Sequence, residues 1–361
     1  MKTRIQSVIG NAVASIQPPG ELWRTRARAH LDELTKPRGS LGMLEDIAAQ
    51  IMAIRCGASS DLRKAVYIFA ADHGIAAEGV SAYPSEVTRQ MVNNFLANGA
   101  AINVLARLHH VKLTIVDIGV DADFDSLDGL LNHKVRKGTR NMLREAAMSK
   151  EELAQALSIG ISLAAQAKAR NETLLAVGEM GIGNTTAAAA ITAILTGLRP
   201  SLVTGKGTGL SASAVEHKQR VIETVLQKHF GDFGSDTSAD ALEVLRRIGG
   251  LEIAAMTGFI LGAAQHHLPV VMDGFISTAA AAIAFAIAPQ VRGYLFSGHQ
   301  SEEPGHRVLL EYIGVKPILS LNMRLGEGTG AVLAMPIIES AMHLYNEMAT
   351  FASSGVSEAK N

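Results

Sequence analysis

The feature that most constrains this chain is a series of short, unbroken apolar runs of strand length, each ending in a polar or glycine-rich turn. Ala65-Val66-Tyr67-Ile68-Phe69-Ala70 ends at Asp72-His73-Gly74, and Leu113-Thr114-Ile115-Val116 ends at Asp117. Leu174-Leu175-Ala176-Val177 runs into Gly178-Glu179, and Val270-Val271-Met272 into Asp273-Gly274. Two shorter runs, Tyr294-Leu295-Phe296 before Ser297-Gly298-His299 and Ile318-Leu319 before Arg324-Leu325-Gly326-Glu327-Gly328-Thr329-Gly330, extend the series. A continuous apolar run suits a parallel strand covered on both faces. Helical stretches at roughly 85–108, 150–169, 184–197, 212–229 and 252–266 separate most of the runs, which predicts a doubly wound, mainly parallel α/β domain. Ligands of such sheets bind beyond the carboxyl ends of the strands, so the turns should converge on one crevice.

The flanks read differently. Residues 1 to about 58 have helical rhythm and no strand signal. Lys36-Pro37-Arg38-Gly39-Ser40 breaks them, and Ser40 is a candidate N-cap for a helix from Leu41. Residues 121–140 and 231–238 read as longer loops. Gly274 to Pro289 is the most lipid-like segment, but it is too short to span a bilayer and largely alanine, so it reads as a buried helix. Gln6, Asn11 and Gln17 interrupt any signal peptide, and a lone Cys56 fits a reducing compartment, which together predict a cytoplasmic protein. With 33 basic and 34 acidic residues, the formal net charge of −1 offers no general field for nucleic acid or an anionic membrane. Anion recognition must be local.

Several turns carry chemistry-bearing residues. Glu327 stands between glycines before the apolar run Ala331 to Met335, either capping a final helix or projecting as a catalytic acid. Glu179 lies between an apolar strand and the turn Gly181-Ile182-Gly183, with Asn184 or Thr185 as a candidate helix cap; a charge in that position calls for a partner or a ligand. Gly205-Lys206-Gly207-Thr208-Gly209, followed by a helix bearing Lys218, is a phosphate-site candidate or a flexible loop. It matches neither a Walker loop nor a full dinucleotide fingerprint. Asp72-His73 reads as a hydrogen-bonded strand-end pair in preference to a metal site, since no ligand pair such as HExxH appears. No nucleophile elbow is present.

Taken in order, Lys36 to Gly42, Ala71 to Gly74, Val177 to Gly181, Asn184 to Thr186, Met256-Thr257-Gly258, Asp273-Gly274-Phe275 and Arg324 to Gly328 closely resemble the nicotinate-nucleotide:dimethylbenzimidazole phosphoribosyltransferases, over about residues 25–348. The resemblance implies transfer of the 5-phosphoribosyl group from nicotinate mononucleotide to 5,6-dimethylbenzimidazole, with inversion at C1′. The products would be α-ribazole 5′-phosphate and nicotinate, in assembly of the cobalamin lower ligand. It further implies a Rossmann-like large domain at 61–337, a small helical domain from 1–60 plus about 338–361, and a homodimer. Glu327 takes the role of general base. Gly205, Gly207 and Lys218 fall in the phosphate region, Asp273 and Ser301 near the nucleotide, and Glu179 and Gly181 beside ribose and base. Met180 and Leu325 would wall the base pocket. Tyr83 stands where some relatives have serine, and Met91 where some have glutamine, both bearing on which base is preferred. No cofactor is implied, and no metal, since paired acidic residues before a Thr-Gly turn are missing. A relative acting on adenine or a phenol, and a nucleotide sensor without turnover, remain the competing readings.

Overall fold

A computed structural model describes residues 2–58, 62–124, 127–207, 209–231 and 240–357. Seven strands form one sheet: β1 (Lys64–Ala71), β2 (Lys112–Gly119), β3 (Leu130–Asn132), β4 (Leu174–Met180), β5 (Val270–Met272), β6 (Leu295–His299) and β7 (Pro317–Leu319). Their order is β3-β2-β1-β4-β5-β6-β7, with every neighbouring pair parallel. This is the doubly wound, Rossmann-like arrangement, and its order reverses between β1 and β4, where such sheets open a ligand crevice.

The early helices are α1 (Lys2–Ser15), α2 (Glu21–Glu33), α3 (Met43–Ile54), α4 (Glu86–Leu96), α5 (Ala101–Leu108), α6 (Lys150–Ala169) and α7 (Asn184–Thr196). They are followed by α8 (Pro200–Val203), α9 (Ala212–Phe230), α10 (Ala241–Ile248), α11 (Leu251–Gln265), α12 (Phe275–Ile287), α13 (Pro304–Ile313), α14 (Thr329–Glu347) and α15 (Phe351–Ser354). β1 shows why its sequence is apolar throughout. Tyr67 and Phe69 pack on Phe259 of α11, with ring centroids 4.7 and 5.7 Å apart. Val66 and Ile68 point the other way, under the loop that enters α14. α12 is buried from Phe275 to Ala284, as expected of the alanine-rich segment. Among the described residues no helix is long and apolar enough to cross a membrane.

Several local expectations are corrected. The stretch 85–108 is two helices, because Asn98 takes a left-handed φ of 61° before Gly99. The helical N-terminal stretch also breaks at Pro18-Pro19, between α1 and α2. The 121–140 loop contains the short edge strand β3, while residues 232–238 of the other expected loop lie outside those described. Ser40 does not cap α3. That helix starts at Met43 after Gly42, and Glu45 reaches back to accept the Leu41 N–H at 3.1 Å.

The same Glu45 oxygen lies 2.8 Å from Lys36 Nζ, and both side chains are buried. This ion pair ties Lys36-Pro37-Arg38-Gly39-Ser40 to α3. Removing one partner strands the other charge in the interior, so Glu45→Ala should destabilise the protein by about 3–5 kcal/mol in urea unfolding. Replacing both partners with apolar residues, Lys36→Met with Glu45→Leu, should recover most of that loss.

Candidate active site

The loop from β7 into α14 passes through three consecutive left-handed residues: Gly326 (φ 85°), Glu327 (φ 61°) and Gly328 (φ 79°). Glycine enters this region freely, but a glutamate there costs roughly 1–2 kcal/mol. Something must hold the loop, and Asp273 at the end of β5 does so. Its Oδ2 accepts the Gly328 N–H at 2.9 Å, and its Oδ1 accepts those of Gly330 at 2.7 Å and Ala331 at 3.3 Å. The orphan amides of the α14 N-terminus are therefore satisfied from another strand. Two strand glycines make room for the loop. A Cβ on Gly178 would lie 2.4 Å from the Gly328 nitrogen, and one on Gly298 would lie 2.7 Å from the Ala331 α-carbon.

With Asp273 in that role, the helix-capping reading of Glu327 is overturned: Gly328 is the N-cap residue of α14. The Glu327 carboxyl instead meets the Ile102 backbone N–H in the first turn of α5. Its Oε2 is buried without a hydrogen-bond partner among the described residues. Burial, then the charge of Asp273, pushes Glu327 up to about 7.

Glu327 opens onto a cleft beyond the ends of β4, β5 and β6. Glu179, Met180, Gly181, Gly207, Asp273, Ser301 and Leu325 line the same cleft, together with Asn184, Thr185, His299 and Glu303. Glu179 lies against Gly326, and its Oε2 accepts from the Asn184 amide, so Asn184 serves this acid and does not cap α7, which starts after Gly183. Burial, reinforced by the charges of Glu252 and Asp273, pushes Glu179 up to about 8. Asp273 is raised to about 7 by burial, against the three amides that lower it. Acids tuned towards neutrality in a cleft mark a reactive site.

Lys218 stands behind the cleft wall, buried on α9, with Nζ donating to Thr185 Oγ1 at 2.7 Å; burial lowers it to about 8. The Gly207 N–H donates to Glu303 Oε1 at 2.8 Å, and Gly205 packs on the same carboxylate. Thr208 lies outside the described residues. Ser301 is oriented by its N–H, which donates to His306 Nδ1 at 2.8 Å. Tyr83 is set apart, 52% exposed and off the cleft, while Leu325 is 56% exposed at its rim.

Asp72 and His73 do not bond each other as expected. His73 Nε2 lies 2.5 Å from Glu252 Oε1, and Asp72 Oδ2 accepts the Asp121 N–H at 2.7 Å. Glu252 and Glu303 were not singled out from the sequence, although each had a signal. Glu252 interrupts the apolar stretch Leu251 to Ile253, and Glu303 precedes a proline that opens α13. Among the described residues no group of three or more His, Cys, Asp or Glu could hold a metal ion.

The model of a family described as phosphoribosyltransferase matches residues 16–356. The chain is 49% identical, over 97% of its length and 99% of the relative's, to the nicotinate-nucleotide–dimethylbenzimidazole phosphoribosyltransferase of Geobacter sp. strain M21. It is 50% identical to the enzyme of that name from Geobacter sulfurreducens, over 98% of this chain and 99% of that one. Its structure superposes with a TM-score of 0.88 on the crystal structure of a nicotinate-nucleotide–dimethylbenzimidazole phosphoribosyltransferase from Thermus thermophilus. That pair is 45% identical, covering 94% of this chain and 100% of the other.

A carboxyl whose folded value lies above its usual 4.5 contributes stability that is full below that value and lost as pH rises through about 8. Glu179→Gln, which cannot ionise, should therefore gain thermal stability relative to the parent as pH rises from about 5 to about 9. A Tm difference constant across that range would show that Glu179 is ionised throughout.

Proposed function

The chain belongs to the nicotinate-nucleotide–dimethylbenzimidazole phosphoribosyltransferase family, and from that membership we propose how its cleft transfers phosphoribose. The donor is nicotinate mononucleotide and the acceptor 5,6-dimethylbenzimidazole, with α-ribazole 5′-phosphate and nicotinate as products and inversion at C1′. The observation that carries the reading is the Glu327 carboxylate, nearly buried at the cleft with Oε2 free of any described partner.

One base is enough for this chemistry. The pyridinium nitrogen of the donor is already positive, so nicotinate departs without being protonated. The benzimidazole attacks through one ring nitrogen while the other carries the proton that must leave. Glu327 Oε2 accepts that proton, and its value near 7 balances ionisation against basicity. Glu179, at about 8, stays protonated at neutral pH, so the two acids can differ in role: Glu327 accepts, and Glu179 presents a hydrogen-bond donor beside the ribose. The phosphate lies towards Gly205, Gly207, Lys218 and Ser301. Asp273 acts on the loop amides, holding Glu327 in place.

Met180 and Leu325 form the base walls. Leu325, more than half exposed at the cleft rim, is an apolar side chain that a second copy would cover, in line with a homodimer completing the pocket. The packing of α3 on α14 supports a small helical domain at 1–60 plus about 338–361, docked on 61–337. A single cysteine, Cys56, supports a cytoplasmic location.

Purified protein given nicotinate mononucleotide and competing bases should form the dimethylbenzimidazole product ahead of adenine or phenol adducts. Mononucleotide binding without nicotinate release would favour the sensor reading instead. Glu327→Gln should lower kcat by roughly a hundredfold or more while leaving the Tm close to the parent's, and near-normal turnover would remove Glu327 as base. In the parent, kcat/KM should decline as pH falls below about 7, where Glu327 of the free enzyme becomes protonated.

A further inference from the structure

Glu303 is a buried carboxylate bonded to the glycine-rich loop that carries Gly205 and Gly207. It precedes α13, and its Oε1 takes the Gly207 N–H at 2.8 Å, a donor that a phosphate at this loop would need. Its Oε2 is buried with no hydrogen-bond partner among the described residues, and lies where a Cβ on Gly205 would come within 2.3 Å. Lys218 Nζ approaches the same spot from behind, 3.5 Å from the Cβ position of Gly207, and feels the charge of Glu303. Lys218 and Glu303 thus set opposite charges beside the Gly207 amide. A phosphate entering between Lys218 and the Gly207 amide meets a like charge already bonded to that amide, a costly arrangement.

We propose that Glu303 is a built-in competitor for the substrate phosphate: it occupies the loop amide in the free enzyme and yields it when the phosphoryl group binds, holding nucleotide affinity down. The proposal rests on the reading of the Gly205–Gly209 loop and Lys218 as the phosphate site. It gives the carboxylate two effects. It satisfies the loop while the cleft is empty, keeping Gly207 from standing as a buried unpaired donor. It also weakens the grip on the phosphorylated product, which has to leave after each turnover. Glu303 is here an affinity-setting residue and takes no part in moving the benzimidazole proton.

Glu303→Gln separates this role from a structural one, because the glutamine carbonyl can still accept the Gly207 N–H while carrying no charge. Calorimetry with inorganic phosphate should show binding tighter by roughly tenfold, the order expected for removing a like charge several ångströms away, and the KM for nicotinate mononucleotide should fall. Unchanged phosphate affinity would make Glu303 a loop-holding residue only. Weaker binding of the mononucleotide would make it an acceptor for the ribose hydroxyls; either result overturns the competitor role. Lys218→Ala, measured alongside, tells two failures apart. Phosphate binding that is insensitive to both changes would sink the phosphate-site reading itself, whereas a Lys218-dependent site indifferent to Glu303→Gln overturns the competitor role alone.

Discussion

The structure depends on one carboxylate bonding three backbone amides. Asp273 leaves the end of β5 and binds the Gly328, Gly330 and Ala331 N–H groups, which joins the sheet to the loop and the loop to α14. Hydrogen bonds to an ionised acceptor are the stronger kind, and three of them oppose the cost of the left-handed run at Gly326-Glu327-Gly328. Without that anchor a loop of this composition would sample many conformations. With it, Glu327 occupies a single place although its own side chain does little to hold it there.

The cleft sets its charges by burial first and by neighbours second. Glu179, Asp273 and Glu327 are all raised by desolvation, and the charge of Asp273 adds to the difficulty that both glutamates have in ionising. Asp273 carries the compensation of three amides, Glu179 that of Asn184, and Glu327 that of Ile102. Those unequal compensations let neighbouring acids of similar chemistry do different work. On the other side of the cleft, burial lowers Lys218 while the charge of Glu303 opposes that shift.

The sequence revealed the sheet through its unbroken apolar runs, and the convergence of the turns through the rule that parallel strands end on one side. Short elements escaped: β3 has three residues at the sheet edge, and α10 and α13 are helices of eight and ten residues closed off by glycine. Glu327 and Glu179 were visible because an acid between glycines is chemically odd. The anchoring task of Asp273 was not visible, because its partners are backbone amides 55 to 58 residues further along, and an amide has no sequence signature. His73 with Glu252 was missed for a similar reason: the pair spans 179 residues and meets only after β1 and α11 have packed.

The contrast in exposure between Glu327 and the surface side chains Tyr83 and Leu325 has an evolutionary consequence. Glu327 is 7% exposed and set in a loop held by Asp273, whereas Tyr83 and Leu325 stand more than half exposed. A substitution at Glu327 disturbs packed strands, glycines and amides at once. A substitution at Tyr83 or Leu325 disturbs little beyond the surface. Substitutions can therefore accumulate at Tyr83 and Leu325 while the packed loop around Glu327 stays the same.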